Sequence, residues 1–338
     1  MKLSKQVVVA LLFSIVLVVS GCGSNSGKNA STTDTPAESG DTSASGDKLN
    51  VQVSFYPMYE FTKTVAGDLA DVESLVPAGI EPHDWEPTPR DLAKIQDADV
   101  LVYNGAGLEG WMDQVTSAVN NDKLIQIEAS HGITTMEGSE EEEAHDHEGE
   151  EAHEHEEEEA HNHGGLDPHV WLSPVLAIQE VRNIESGLSE AAPEHKDEFK
   201  KNADAYIVKL EQLDQDFKSG LNDTKRKDFI TQHASFGYLA KEYNLVQIAI
   251  AGLSPEQEPS AADMATIVKF AKENNVQTIF FETLASSKVA ETIAKEIGAG
   301  SAVLNPIEGL TDEDKANKLD YIGIMRQNLE ALKKALNQ

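Results

Sequence analysis

Eight short apolar runs alternate with amphipathic helical patterns along this chain, and they fall into two sets of four. The first set is "LNVQVSFYP" (49–57), "DVESLVP" (71–77), "VLVYNG" (100–105) and "KLIQIEA" (123–129). The second is "DFITQH" (228–233), "VQIAIAGL" (246–253), "VQTIFFE" (276–282) and "SAVLNPI" (301–307). Runs of this length, bounded by turn formers, predict buried strands. Between them, "TPRD" (88–91) puts Thr88 at a helix N-cap, Pro89 at the first helical position and Asp91 at the third. "SAAD" (260–263) repeats the device, and Gly298 is placed to close a helix that begins near Ser286. Strands separated by helices need right-handed crossovers, so each set predicts a parallel sheet. The expected class is α/β, with two (β/α)4 lobes on four-stranded parallel sheets.

About a hundred residues of different character separate the two sets. Residues 174–222 read as helical, and Pro193 interrupts them, which predicts one helix to about 191 and a second from about 193 to 221. In the second, Phe199, Ala203, Tyr206, Leu210, Leu213 and Phe217 recur at intervals of three and four, one buried stripe. A helix of about 28 residues is about 40 Å long, enough to run along both lobes as a rigid spine. The expected boundaries are an N-terminal lobe at 49–190, a linking helix at 191–222 and a C-terminal lobe at 223–338.

The N-terminal segment has a different logic. Lys2 and Lys5 precede a nearly unbroken apolar run at 7–19, and "VVSGC" follows, ending at Cys22. The run is shorter than the roughly 20 residues that span a bilayer, so 1–21 reads as a signal peptide. A small-residue pair directly before the chain's single cysteine resembles a lipobox, with Cys22 as the lipidated residue. Residues 22–48 are rich in Gly, Ser, Thr and Asp without apolar periodicity, the composition of a flexible tether. A diacyl or triacyl cysteine carries enough chain length for stable anchoring to membrane lipid.

The formal net charge of −32 argues against nucleic acid, whose phosphates require a basic surface. Much of that charge lies in an acidic, histidine-rich loop at 137–165, which holds His145, His147, His153, His155, His161 and His163. Its composition cannot form a packed core, so it is expected to be disordered. It offers divalent ions many weak arrangements, because ordering it costs entropy.

Four residues outside that run form a better candidate site: His83 in "GIEPHDWEPTP", His169 in "LDPHVWLSP", His233 in "ITQHASFG" and Glu308 in "LNPIEGLT". Three of them follow strands, at the carboxyl edge where open parallel sheets bind ligands. Three neutral imidazoles and one carboxylate suit Zn²⁺ in a closed tetrahedral site, whereas more carboxylate would lean toward Mn²⁺. Asp167 and Glu282 are placed to accept the far ring N–H of a ligating imidazole. His131 and His195 read as cap or surface residues. A zinc hydrolase is the rival class, but the chain has no H-E-x-x-H segment, and four protein ligands leave no position for an activated water.

The segments "EPHDWEPTP", "DPHVWLSP", "QHASFGYLAKEY", "FFETLASSKVAETIAKEIG" and "LNPIEGL" resemble the zinc-binding lipoproteins of ABC importers, the ZnuA and AdcA types of the metal-specific solute-binding proteins. The similarity runs from about residue 48 to the end. It implies two lobes joined by a rigid helix, with the metal in the cleft between them, and ligands at His83, His169, His233 and Glu308. Manganese members typically carry Glu in place of His233 and Asp at the last position. Some zinc members use water as the fourth ligand, which leaves water as the alternative to Glu308. The resemblance implies a monomer, not an enzyme, that captures Zn²⁺ and delivers it to a membrane permease driven by a cytoplasmic ATPase. It would sit on the outer face of the cytoplasmic membrane as a Gram-positive-type lipoprotein. The family's His-rich loop falls at 140–165 and would be an accessory metal gatherer. A manganese-binding homologue and a metal-dependent surface adhesin are the alternative readings.

Overall fold

The computed structural model describes residues 48–138 and 165–338. Cys22, the leader, the tether up to residue 47 and the six loop histidines lie outside the described residues.

All eight expected strands form. The first sheet contains β1 (Leu49–Val53), β2 (Ala70–Ser74), β3 (Val100–Tyr103) and β4 (Ile125–Glu128), in the order β2-β1-β3-β4 with every pairing parallel. The second contains β5 (Asp228–Thr231), β6 (Val246–Ala249), β7 (Thr278–Phe281) and β8 (Gly300–Val303), in the equivalent order β6-β5-β7-β8 and again parallel. The strands are shorter than the apolar runs, because residues such as Ser54, Asn104 and His233 leave the sheet to build the loops at its carboxyl edge. In each sheet the chain reverses its direction of progress at the first and third strands, which makes their carboxyl ends the point where a ligand crevice opens.

The helices α1 (Tyr56–Ala66), α2 (Pro89–Gln96) and α3 (Met112–Ala118) provide the crossovers of the first sheet. In α2, Thr88 and Asp91 close the capping box read from the sequence. After β4 the chain reaches α4 (Pro174–Ala191), turns through a single 3-10 turn at Pro193–His195, and continues as α5 (Lys196–Leu221). The expected stripe of α5 is buried from Phe199 to Phe217. With 26 residues it is about 39 Å long. It packs on α1 and α4 at one end and on the C-terminal helix α10 (Tyr321–Leu336) at the other. The second sheet is completed by α6 (Gly237–Glu242), α7 (Ala261–Glu273), α8 (Lys288–Ile297) and α9 (Asp312–Ala316). Here the Ser260–Asp263 box and Gly298, at φ 72°, take the predicted roles. The helix closed by Gly298 starts at Lys288, two residues later than Ser286.

One apolar cluster runs from Val51, Val53 and Val102 of the first sheet through Phe199 and Phe217 of α5 to Phe229, Phe280 and Met325 of the second lobe. A core shared in this way makes the two lobes one packed body, since separating them would expose its apolar surface. One expectation needs adjusting: the ends of the acidic stretch are ordered. Glu137 pairs antiparallel with Leu166, and Gly138 N–H donates to Gly165 O at 2.8 Å, which gives the loop a closed base.

Candidate metal centre

The three loops that follow β2, β5 and β8 meet the segment that precedes α4, and each delivers one residue to a common point. His83 comes from the long loop between β2 and α2, His233 from two residues beyond β5, Glu308 from five residues beyond β8, and His169 from the turn before α4. Their ligand atoms all lie within 4.8 Å of one another. Nε2 of His169 is 3.1 Å from Nε2 of His83 and 3.2 Å from Nε2 of His233. Oε1 of Glu308 is 3.2 Å from His83, 3.4 Å from His169 and 3.4 Å from His233. A regular tetrahedron with metal–ligand bonds of about 2.0–2.1 Å has edges of about 3.3–3.4 Å. Five of the six separations therefore match tetrahedral spacing closely, and the sixth, between His83 and His233, lies within 4.8 Å.

The rings are oriented by the carboxylates anticipated from sequence. Nδ1 of His169 lies 2.8 Å from Asp167 Oδ1, and Nδ1 of His233 lies 2.6 Å from Glu282 Oε1. A carboxylate accepts, so each Nδ1 carries the proton and each Nε2 presents a lone pair to the centre in the neutral ring. The same two carboxylates accept the backbone N–H of the histidine they orient, both at 3.0 Å. His233 and Glu282 meet because β5 and β7 are sheet neighbours.

Glu81 repeats part of this arrangement and was not anticipated. It accepts the backbone N–H of His83 at 3.0 and 3.1 Å, so "EPH" and "DPH" are two copies of one acid–Pro–His turn. That recurrence was the signal in the sequence. A second unanticipated group is Tyr238, whose hydroxyl donates to Asp167 O at 2.7 Å and accepts Met136 N–H at 2.9 Å. It ties the base of the acidic loop to the second lobe.

Burial grades the site. His169 and His233 are fully enclosed and Glu308 is 2% exposed, while the His83 side chain keeps 10% of its surface. His83, on the loop whose residues 77–80 are exposed, is thus the most accessible of the four. Burial depresses the His83 imidazole, and Glu308 only partly offsets it. For His233 burial acts in the same direction, but the charge and hydrogen bond of Glu282, aided by Glu308, outweigh it and push the ring up to about 10. His169 is also raised, because Asp167 and Glu308 overcome its burial. Burial alone would raise Glu308, yet the hydrogen bonds from His169 and His233 hold it well below the usual carboxylate range. Burial and the Glu308 charge push Glu81 up to about 7. Without a cation the cluster retains protons that a metal ion would replace.

His131 and His195 stay outside the centre. His131 is exposed, and its backbone carbonyl accepts from Gln179 and Asn183. His195 ends the 3-10 turn before α5 and stacks edge-on near Phe199. Among the described residues, this is the one grouping of three or more His, Cys, Asp or Glu with ligand spacing.

Residues 51–335 match the family model described as "ZnuA: Zinc-uptake complex component A periplasmic". The chain is 50% identical over 320 residues to the high-affinity zinc uptake system protein ZnuA of Bacillus subtilis (strain 168), covering 95% of this chain and 94% of that protein. It is 48% identical over 294 residues to the zinc-binding lipoprotein AdcA of Streptococcus pneumoniae (strain ATCC BAA-255 / R6), covering 86% of this chain. The match spans 56% of the length of AdcA. The crystal structure of the Zn(II)-bound ZnuA-like domain of Streptococcus pneumoniae AdcA superposes with a TM-score of 0.71 at 43% identity, covering 86% of this chain and 100% of that one.

Proposed function

Because this chain belongs to the ZnuA family of zinc-uptake components, we propose that it captures Zn²⁺ outside the cytoplasmic membrane and delivers it to the permease of an ABC importer. The observation that carries this reading is the convergence of His83, His169, His233 and Glu308, with their ligand atoms within 4.8 Å of one another and two of the rings already held by carboxylates. Three imidazoles and a single carboxylate favour zinc over manganese. The zinc is cargo, held by four protein groups in the cleft between the lobes. A fourth protein ligand leaves no position for an activated water, so the site stores and transfers an ion and performs no catalysis.

The remaining assignments follow the same reading. Residues 1–21 direct export, Cys22 takes the lipid, and the tether lets a monomeric domain stand off the outer face of the membrane. The first lobe runs from 49 to 190, the linking helix from 191 to 222, and the second lobe from 223 to 338. The permease draws on a cytoplasmic ATPase. The loop histidines, His145, His147, His153, His155, His161 and His163, gather zinc near the cleft. Because the lobes share one core, release proceeds by local rearrangement of site loops, the His83 loop above all.

Calorimetric titration of Zn²⁺ and Mn²⁺ into the protein, into a deletion of residues 139–164, and into His169→Ala tests this. The expected result is one tight zinc site that survives the deletion and is lost in His169→Ala. Loss of tight binding in the deletion, with His169→Ala unaffected, would place the working site in the loop and overturn the assignment.

A further inference from the structure

We infer that Trp171 is a positioning residue for the fourth ligand: it holds Glu308 at the metal by clamping the loop that carries it to the segment that carries His169. The inference rests on the ligand assignment proposed above. Trp171 lies two residues beyond His169 and is fully buried, edge-on against Phe55 at 4.9 Å. Its indole Nε1–H donates to Pro306 O at 2.8 Å, and its own carbonyl accepts the Tyr321 hydroxyl at 2.5 Å. The indole therefore joins the chain entering α4 to the loop leaving β8.

That loop is not relaxed. Ile307, directly before Glu308, has φ 62°. A β-branched side chain is rarely found in the left-handed region, because its Cβ crowds the following carbonyl. Such a conformation persists only where the surroundings over-determine it. Here Ile307 N–H donates to Asn305 Oδ1 at 2.8 Å, Asn305 N–H donates to Asn328 Oδ1 at 2.8 Å, and Asn328 Nδ2 donates to Asn305 O at 2.7 Å. The Ile307 side chain is itself buried in the core, and Trp171 adds a hold on the carbonyl of the peptide that leads into it. Without it, the strain at Ile307 has one restraint fewer against turning back toward negative φ, a turn that moves the Glu308 carboxylate away from the site. The other ligands have separate supports: Asp167 for His169, Glu282 for His233, and the backbone contact of Glu81 for His83. Trp171 also packs on the His169 ring, with centroids 5.2 Å apart, a ring contact that a phenylalanine can keep, whereas its N–H acts through the loop of Glu308. Losing its N–H leaves three imidazoles and one open position.

The test is a double-mutant cycle with two readouts. Zn²⁺ affinity is measured by competition with a chromophoric chelator, and the Co²⁺-loaded protein is followed by its visible absorption, which reports coordination geometry. Trp171→Phe removes the donor and retains an aromatic ring. It is expected to weaken zinc about tenfold, at the lower end of the effect of outer-shell partners, and to shift the Co²⁺ spectrum toward that of Glu308→Gln. In the Glu308→Gln background it should cause no further loss. Asn305→Ala releases Ile307 from the same support without touching the indole, and it carries the same expectation should Trp171→Phe fold poorly. A full Trp171→Phe effect persisting beside Glu308→Gln would overturn the inference, as would unchanged affinity and spectrum in both Trp171→Phe and Asn305→Ala. If Glu308→Gln itself changes neither readout, the ligand assignment beneath the inference falls.

Discussion

Glu282 holds His233 twice with one oxygen: its Oε1 lies 2.6 Å from the ring Nδ1 and accepts the backbone N–H of the same residue at 3.0 Å. Both are enclosed, so the carboxylate fixes the tautomer and the direction of the ring before any metal arrives. Glu282→Gln keeps the shape and removes the charge. It is expected to weaken zinc on the order of 10–100-fold without altering the circular dichroism of the fold. Affinity within twofold of the parent would show that packing alone orients His233.

The same pair predicts how zinc binding depends on pH. With the His233 imidazole raised to about 10, the metal-free site carries a proton at neutral pH that zinc must displace. Affinity should then rise by at least about tenfold per pH unit between pH 6.5 and 8, with at least about one proton released per ion, the raised His169 adding to the count. Calorimetry in buffers of different ionisation enthalpy counts that proton directly, and a count of zero would contradict it. In the metal-free protein the linkage has the matching sign. A raised histidine stabilises the fold fully below its unfolded value of about 6.5, and that contribution is lost as pH rises through about 10.

Glu180 is a buried acid with no metal to hold. It lies fully enclosed on α4, neither carboxylate oxygen has a hydrogen-bond partner among the described residues, and burial together with the Glu109 charge raises it well above the usual range. Burial therefore favours its neutral form in the fold, while in the unfolded chain it ionises above about pH 4.3. The unfolded state therefore gains as pH rises, and the fold loses stability. Glu180→Met should raise unfolding free energy on the order of 1–3 kcal/mol at pH 8 and by less at pH 5. Denaturant titrations at the two pH values measure the difference, and an equal or opposite change would refute it.

Thr88 ends the loop that carries His83 and begins α2. Its side chain accepts Asp91 N–H, while Asp91 Oδ2 accepts Thr88 N–H at 3.0 Å. Thr88→Ala should destabilise the protein by about 1 kcal/mol, seen as a lower midpoint in urea with unchanged slope. No shift in midpoint would mean that Pro89 alone sets the helix start.

Much of this molecule was legible in local patterns. The strands, the capping boxes at Thr88 and Ser260 and the stripe of α5 depend on neighbours a few residues apart, and they formed where periodicity and turn chemistry placed them. Asp167 could be paired with His169 because it sits two residues away. Glu81 stands in the equivalent place before His83 and could have been found by aligning "EPH" with "DPH". Trp171 and Tyr238 could not, since each reads as an ordinary core aromatic until its partner across the molecule is known.

By itself, the sequence determined which segments become strands and helices and which residues have the chemistry to hold zinc, because those properties reside in side chains and their immediate spacing. Only the tertiary structure decided that His83 and Glu308, 225 positions apart, meet at 3.2 Å, and that His233 finds Glu282 across neighbouring strands. Strand order and helix packing bring those groups together, and both are set by burial of one shared core rather than by any local signal.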